Sequence, residues 1–300
     1  MSAPVPIGVI GVGVLGWHHA RHLVSMPDAE LVGVYDIRQD RAEQVASALG
    51  TRACTSREDL IRRARAVTIA VPTPVHAEVG LAAIEAGLPV LIEKPLAATM
   101  PEANALVEAA TRRGVMLQVG HIERFNRAIR AAAGYFDRPL FIEGERLAPF
   151  QLRGTDVPVV LDIMIHDLDL ILHLARGAET VDVRANGAAV LSGLFDVAHA
   201  RVEFQTGLVA SVTASRIANE RVRRLRIYQE SGYLALDLAT GMGEFLRLKN
   251  RWAPGEARGL DDVVERIPLE APPADALELE LATFLHAVQG RRDPVVTGSD

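Results

Sequence analysis

The sequence predicts an α/β fold: an N-terminal Rossmann parallel sheet followed by an α+β domain with an open, mostly antiparallel sheet. Over roughly the first 120 residues, short apolar runs alternate with helically periodic segments, the rhythm of βαβ units. Past residue 121 helices become rare, strand-like alternation recurs, and Gly207 and Gly232 sit where hairpin turns are needed. A chain of 300 residues exceeds what one core usually organises. The change of rhythm therefore divides it into domains 1–121 and 122–300.

The first domain's strands are expected at Ile7–Ile10, Leu31–Tyr35, Val67–Ala70, Val90–Ile92 and Met116–Val119, with a weaker one near Arg52–Cys54. Helices fall at about 14–26, 38–49, 57–64, 75–86 and 101–113. Ser56 is placed to cap one helix, Gly50, Gly87 and Gly114 to end three, and Pro101 to start another. In the second domain a helix at roughly 124–135 and a strand near Leu140–Leu147 precede a helix over 159–175. Strands follow at 180–190, 197–205, 208–216, 222–230, 233–238, 244–249 and 263–267, then a final helix at 274–289.

Composition narrows the function classes. Hydrophobic residues make up 49% and charged residues 23%, the balance of an ordinary globular protein. A net charge of −6 argues against a nucleic-acid partner. The most apolar helix, Val159–Ala175, is interrupted by Asp162, His166, Asp167 and Asp169, so no membrane span is expected. A single cysteine, Cys54, and an N-terminus without a signal-peptide pattern lead to the expectation of a soluble, cytoplasmic protein.

Gly11-Val-Gly13-Val14-Leu15-Gly16 follows the apolar run Ile7–Ile10 and opens a helical pattern. That context makes the glycines a dinucleotide fingerprint, in which Gly11 permits a tight turn, Gly13 lets backbone approach a pyrophosphate, and Gly16 allows close helix–strand contact. Val14 and Leu15 belong to the same cofactor-binding stretch. Asp36 closes the second strand about 20 residues further on, where a carboxylate binds the ribose 2′-OH. NAD is therefore expected over NADP, a preference tempered by the neighbouring Arg38.

Of 32 basic residues only Lys94 and Lys249 are lysines. Lys94 lies in Glu93-Lys94-Pro95, at the end of the fifth strand when the Arg52–Cys54 segment is counted. Ligands of open α/β sheets bind beyond the carboxyl ends of the strands, which directs the Glu93–Lys94 pair at the cofactor. A lysine can also be tuned to exchange a proton, as an arginine cannot.

Asp162, His166, Asp169 and His173 are spaced i, i+4, i+7 and i+11, so they share one face of a helix otherwise largely apolar. That stripe fits a cavity wall and also a solvent-facing side. In the first case His166 is a candidate proton acceptor with Asp162 orienting it. Asp and His one turn apart can chelate, but no further ligand motif accompanies them, so no metal is expected.

These three motifs in order resemble the glucose–fructose oxidoreductase / inositol dehydrogenase / rhizopine-catabolism (GFO/IDH/MocA) family across essentially the whole chain. The resemblance implies an NAD(P)-dependent dehydrogenase acting on a CH–OH group. Lys94, Asp162 and His166 would be its catalytic residues, and Pro72, Thr73 and His76 would flank the nicotinamide half of the cofactor. It also implies a homodimer or homotetramer formed through the C-terminal sheet. The stretch Val119-Gly-His121-Ile-Glu123-Arg124-Phe125-Asn126 is similar to the branch of UDP-N-acetylglucosamine 3-dehydrogenases. That likeness implies that His121, Arg124 and Asn126 line a sugar site together with Lys94.

The expected activity is oxidation of a secondary alcohol on a sugar, foremost a nucleotide sugar such as UDP-N-acetylglucosamine at C3. An inositol, polyol or free-sugar dehydrogenase is the alternative within the class. A non-catalytic dinucleotide sensor, or a lyase or glycosidase using NAD as a transient redox aid, lies outside it. Whether Lys94 or His166 is the formal base is left open, since the two would titrate together.

Overall fold

Strands β1 (Val5–Ile10), β2 (Ala29–Tyr35), β3 (Ala66–Ile69), β4 (Val90–Glu93) and β5 (Leu117–Gly120) form one parallel sheet in the order β2-β1-β3-β4-β5. The computed structural model describes residues 3–151, 157–249, 255 and 259–300. Helices α1 (Val14–Ser25), α2 (Gln39–Leu49), α3 (Arg57–Arg63), α4 (His76–Glu85) and α5 (Met100–Arg113) connect these strands. Strands β3, β4 and β5 are buried along their whole length, which is why their sequences are apolar runs without alternation.

Local chemistry sets the helix ends. Ser56 Oγ accepts from Asp59 N, and Thr99 with Glu102 closes a capping box at the start of α5. Gly114 ends α5 with φ +63°, in the left-handed region that glycine adopts without a Cβ penalty. The segment near Arg52–Cys54 is an isolated bridge from Ala53 to Val34, and is not a sheet strand. Glu93 therefore ends the fourth strand of the sheet, not the fifth.

The chain separates into two compact units, Met1–Ile122 with Asp275–Asp300, and Glu123–Ala274. Placing all of 122–300 in a second domain is thus corrected at the C-terminus. The last helix, α9 (Ala276–Val288), buries Leu277, Leu281, Phe284 and Leu285 in one cluster with Val5, Ile7, Val9, Leu23 and Leu91. Its apolar face closes the Rossmann core, although it follows the last strand of the other unit.

The second unit holds an eight-stranded sheet built from β6 (Pro139–Leu147), β7 (Thr180–Ala188), β8 (Val197–Phe204), β9 (Val209–Ser215), β10 (Val222–Gln229), β11 (Gly232–Asp237), β12 (Met242–Leu248) and β13 (Val264–Leu269). Its order is β13-β12-β11-β10-β6-β9-β8-β7, parallel only between β6 and β9. Helices α6 (Arg127–Ala132) and α7 (Ile165–Leu174) pack their apolar sides on Ile142, Val212, Leu225 and Ile227. The short α8 (Leu260–Val263) precedes β13. The expected helix over 124–135 is three pieces, with single-turn 3-10 segments at Ile122–Phe125 and Ala133–Tyr135 on either side of α6. The expected helix over 159–175 opens with a π turn, Val160–Met164, in which Ile165 N–H bonds back to Val160 O.

Candidate active site

The fingerprint loop follows β1 and leads into α1, and each glycine has a distinct reason to be there. Gly11 has φ +82°, and a Cβ on it would sit 2.7 Å from Val71 Cγ1. A Cβ on Gly16 would lie 1.8 Å from Gly11 O, so α1 could not approach β1 with any other residue. Gly13 meets nothing within 4 Å, and it caps α1 without a side-chain hydrogen bond. The first N–H groups of a 12-residue helix are thus turned toward a side open to a ligand, the arrangement that receives a pyrophosphate. Gly13 and Val14 are exposed and Leu15 is half-buried.

Asp36, at the end of β2, accepts from Val12 N at 2.9 Å and from Arg38 N at 3.0 Å. Its carboxylate is held beside the fingerprint loop. Arg38 itself is exposed. A residue not anticipated from the sequence is Arg41 on α2, whose Nε donates to Val12 O at 2.8 Å and whose Nη1 donates to Gln44 at 2.7 Å. It ties the fingerprint loop to α2. No motif spacing marks it, because it acts on backbone carbonyls.

At the end of β4 the Lys94–Pro95 peptide is cis and Lys94 is half-buried. The Glu93 carboxylate was expected to face the cofactor; it is instead buried, 2.9 Å from His19 Nε2 on α1. A Cβ on Gly120, at the end of β5, would lie 2.9 Å from Glu93 Cδ. Glu93 is therefore an interior brace for the residue that follows it. His121, next after β5, is half-buried.

After β3, Pro72 caps the single-turn helix Thr73–Val75; Pro72 is exposed and Thr73 half-buried. His76 is 1% exposed, with Nδ1 2.8 Å from Pro95 O and Nε2 2.8 Å from Val71 O. Its ring spans the loops after β3 and β4, so His76 positions the cofactor loops and is not exposed to meet the cofactor itself.

In the second unit the polar stripe divides in two. Asp162 lies in the π turn and His166 in the first turn of α7, both half-buried. A π turn inside a helix shifts the angle between residues on either side, a device common at functional sites. Asp169 and His173 are occupied differently: Arg124 reaches both Asp169 carboxylate oxygens at 2.7 Å and His173 Nδ1 at 2.7 Å. The Arg124 and Asp169 side chains are each 5% exposed. Expected in the sugar site, Arg124 is thus committed to a buried bidentate pair on α7. Asn126 caps α6 by accepting from Ala128 N at 2.9 Å, and its amide donates to Glu123 and Leu238 O. That side chain secures local structure.

Beneath α7, Arg146 donates to both oxygens of Asp167 and, at 2.8 Å, to Glu123. All three are buried. Burial works against the Arg146 charge, but Asp167 and Glu123 more than offset it and push its pKa up. A Cβ on Gly144 would lie 3.5 Å from Asp167 Cβ, so α7 crosses β6 at that point. The alternation of β6 could have signalled this cluster, since Arg146 falls on the inward phase with Ile142. Among the described residues no group of three or more His, Cys, Asp or Glu could hold a metal ion.

Comparison with known proteins decides the lineage. Residues 5–121 match the model of an oxidoreductase family with an NAD-binding Rossmann fold, and residues 129–235 match the GFO/IDH/MocA C-terminal domain. The chain belongs to the GFO/IDH/MocA family. It is 40% identical to the UDP-N-acetylglucosamine 3-dehydrogenase of Acidithiobacillus ferrooxidans, over 95% of this chain and 89% of that protein. A solved structure of that enzyme superimposes with a TM-score of 0.91 at 37% identity, covering 99% of this chain and 93% of that one. The NAD-dependent scyllo-inositol 2-dehydrogenase of Bacillus subtilis is 33% identical over 72% of this chain and 68% of its own. As a member of the GFO/IDH/MocA family the chain is an NAD(P)-dependent dehydrogenase with an NAD-binding Rossmann unit. No helix among the described residues is long and apolar enough to cross a membrane.

Proposed function

We propose that this chain oxidises a secondary alcohol of a nucleotide sugar, with the C3 hydroxyl of UDP-N-acetylglucosamine as the foremost substrate. One observation carries the reading: Lys94 directly follows β4, at the same end of the parallel sheet at which the fingerprint loop leaves β1. Ligands of open α/β sheets bind beyond that end of the strands, which supports Lys94 as a donor to the substrate. The identity to the Acidithiobacillus enzyme supports the choice of sugar.

Bound NAD supplies an acceptor for the hydride that leaves the carbinol carbon. The chain's own residues do the rest. Gly13 and the start of α1 receive the pyrophosphate, and Asp36 hydrogen-bonds the adenosine ribose. Lys94 donates to the reacting oxygen and stabilises the negative charge that grows there as the C–H bond breaks. His166 accepts the hydroxyl proton, and Asp162, on the preceding π turn, orients the imidazole. His121 lines the sugar side.

Lys94→Met and His166→Asn test these roles. Both should still quench or shift NADH fluorescence while turnover of UDP-N-acetylglucosamine falls by about 10²-fold or more. Near-native turnover in either variant overturns the assignment. The match to the inositol 2-dehydrogenase supports a cyclitol as the second reading. Thermal-shift screening of UDP-sugars against inositols separates the two, because a ligand that binds only the native state raises Tm.

Association through the open face of the second sheet is part of this proposal. Phe141, Tyr228 and Tyr233 form a row there, with ring centroids 5.8 and 4.8 Å apart, and Tyr228 is 38% exposed. Tyr228→Asp should lower the oligomer mass measured by light scattering. A cytoplasmic location accords with the buried Cys54, whose thiol pKa burial pushes up.

A further inference from the structure

Strand β7 ends the eight-stranded sheet, and among the described residues nothing pairs with its outer edge. All but one of its nine residues are exposed. Edge strands normally carry short runs, prolines or charges that discourage pairing. This one is long and contains no proline; its charges are the single pair Asp182 and Arg184, and its bulge is confined to its start, between Thr180 and Asp182.

The two faces of β7 differ in chemistry. Val183 is opposite the buried Val202 of β8, and Ala185 opposite the buried Ala200, so both point to the side occupied by the core, while a bulge between Thr180 and Asp182 takes Val181 out of that alternation. Yet Val183 is 57% exposed. Phe195 continues the stripe, because a Cβ on Gly187 would lie 3.2 Å from its ring. An apolar strip on the core side of the sheet is thus left uncovered. On the opposite face Asp182 and Arg184 stand one pleat apart, joined at 2.9 Å, with Arg184 79% exposed.

We propose that β7 pairs antiparallel with β7 of a second copy of this chain about a two-fold axis through Val183. That register is self-complementary. It sets Val183 beside Val183, and it sets Asp182 opposite Arg184 of the second copy and Arg184 opposite Asp182 of the second copy. A strand bearing Asp and Arg on either side of a central residue satisfies its own charges when it meets itself antiparallel about a two-fold axis, the condition for an isologous interface. The same pairing joins the two apolar strips into one continuous surface and satisfies the free edge groups. The contact is distinct from the open sheet face and does not depend on it.

The test measures the mass of the full-length chain by native mass spectrometry and light scattering. The wild type should show an association step that Asp182→Arg and Arg184→Asp each weaken by about tenfold or more, since each change puts like charges opposite each other twice. The double variant D182R/R184D should regain that step. An equimolar mixture of the two single variants should also regain it, as mixed complexes whose mass contains one copy of each. If the open face also associates, the single variants fall from tetramer to dimer instead of from dimer to monomer. A monomeric wild type, single variants with wild-type mass, or a mixture that fails to recombine overturns the proposal. Both positions are on the surface, so unchanged melting of the monomer separates a lost contact from a lost fold.

Discussion

His19 and Glu93 share a 2.9 Å hydrogen bond in the interior of the Rossmann unit, tying the helix that begins at the dinucleotide fingerprint to the residue before Lys94. A carboxylate only accepts, so the His19 proton resides on Nε2. Nδ1 meets no hydrogen-bonding partner among the described groups, as a bare ring nitrogen allows.

Removing His19 should therefore disturb Lys94 from behind. His19→Leu leaves Glu93 buried without its donor and is expected to cost about 1–3 kcal/mol of stability. Turnover is expected to fall while the KM for NAD changes little. His19→Gln retains a nitrogen donor and should recover most of the turnover. Steady-state kinetics on both variants checks this, and equal defects in the two would show that the hydrogen bond is not what matters.

The nucleotide end offers a separate prediction. Asp36 and Arg41 both grip the backbone at Val12, one through its N–H and the other through its carbonyl. Arg41→Ala should raise the KM for NAD with little change in kcat, because the loop loses a tie and the chemistry does not. Asp36→Ser removes the charge that opposes a 2′-phosphate and leaves Arg38 and Arg41 nearby, so the preference should move toward NADP. The ratio of kcat/KM for the two cofactors measures that shift.

Arg146 carries the largest predicted stability effect. Arg146→Ala strands the buried Asp167 without its bidentate partner, leaves Glu123 only the more distant Arg223 at 3.8 Å, and should cost about 3–5 kcal/mol. Denaturant unfolding gives the number directly. A loss below about 1 kcal/mol, the range of exposed ion pairs, would mean that water replaces the guanidinium.

The β7–β8 loop predicts an acid dependence. Asp196 accepts from the Ser192 hydroxyl at 2.6 Å and from Val190, Leu191 and Ser192 N–H groups. The Ser192 hydroxyl bond leads, burial opposes it, and the N–H bonds add to it; together they hold the carboxyl well below the usual carboxylate range. A depressed folded pKa stabilises above the unfolded value of about 4, and that stability is lost as pH falls through it toward the folded value. Asp196→Asn should therefore lower Tm at neutral pH and flatten its decline between about pH 5 and pH 3. Melting curves across that range test the sign.

The class of each domain, the fingerprint turn and the strand-end positions of Asp36 and Lys94 were legible because each is a local pattern. Periodicity of two or near 3.6, glycine spacing and cap residues report on a few consecutive residues, and the observed elements follow them within a residue or two at most ends. Recognition of the family rested on the same local motifs in order.

Only tertiary structure decided what depends on distant partners. Whether Arg124 faces a sugar or Asp169 turns on a residue 45 positions away. The same holds for Glu93 and His19, and for His76 between Val71 and Pro95. A charged side chain next to a motif looks free in sequence. In a folded interior it must be neutralised or hydrogen-bonded, and that demand ties it to the scaffold. The helix after β13 shows the same limit for apolar residues, since a stripe of leucines states that it will be buried and not which core will bury it.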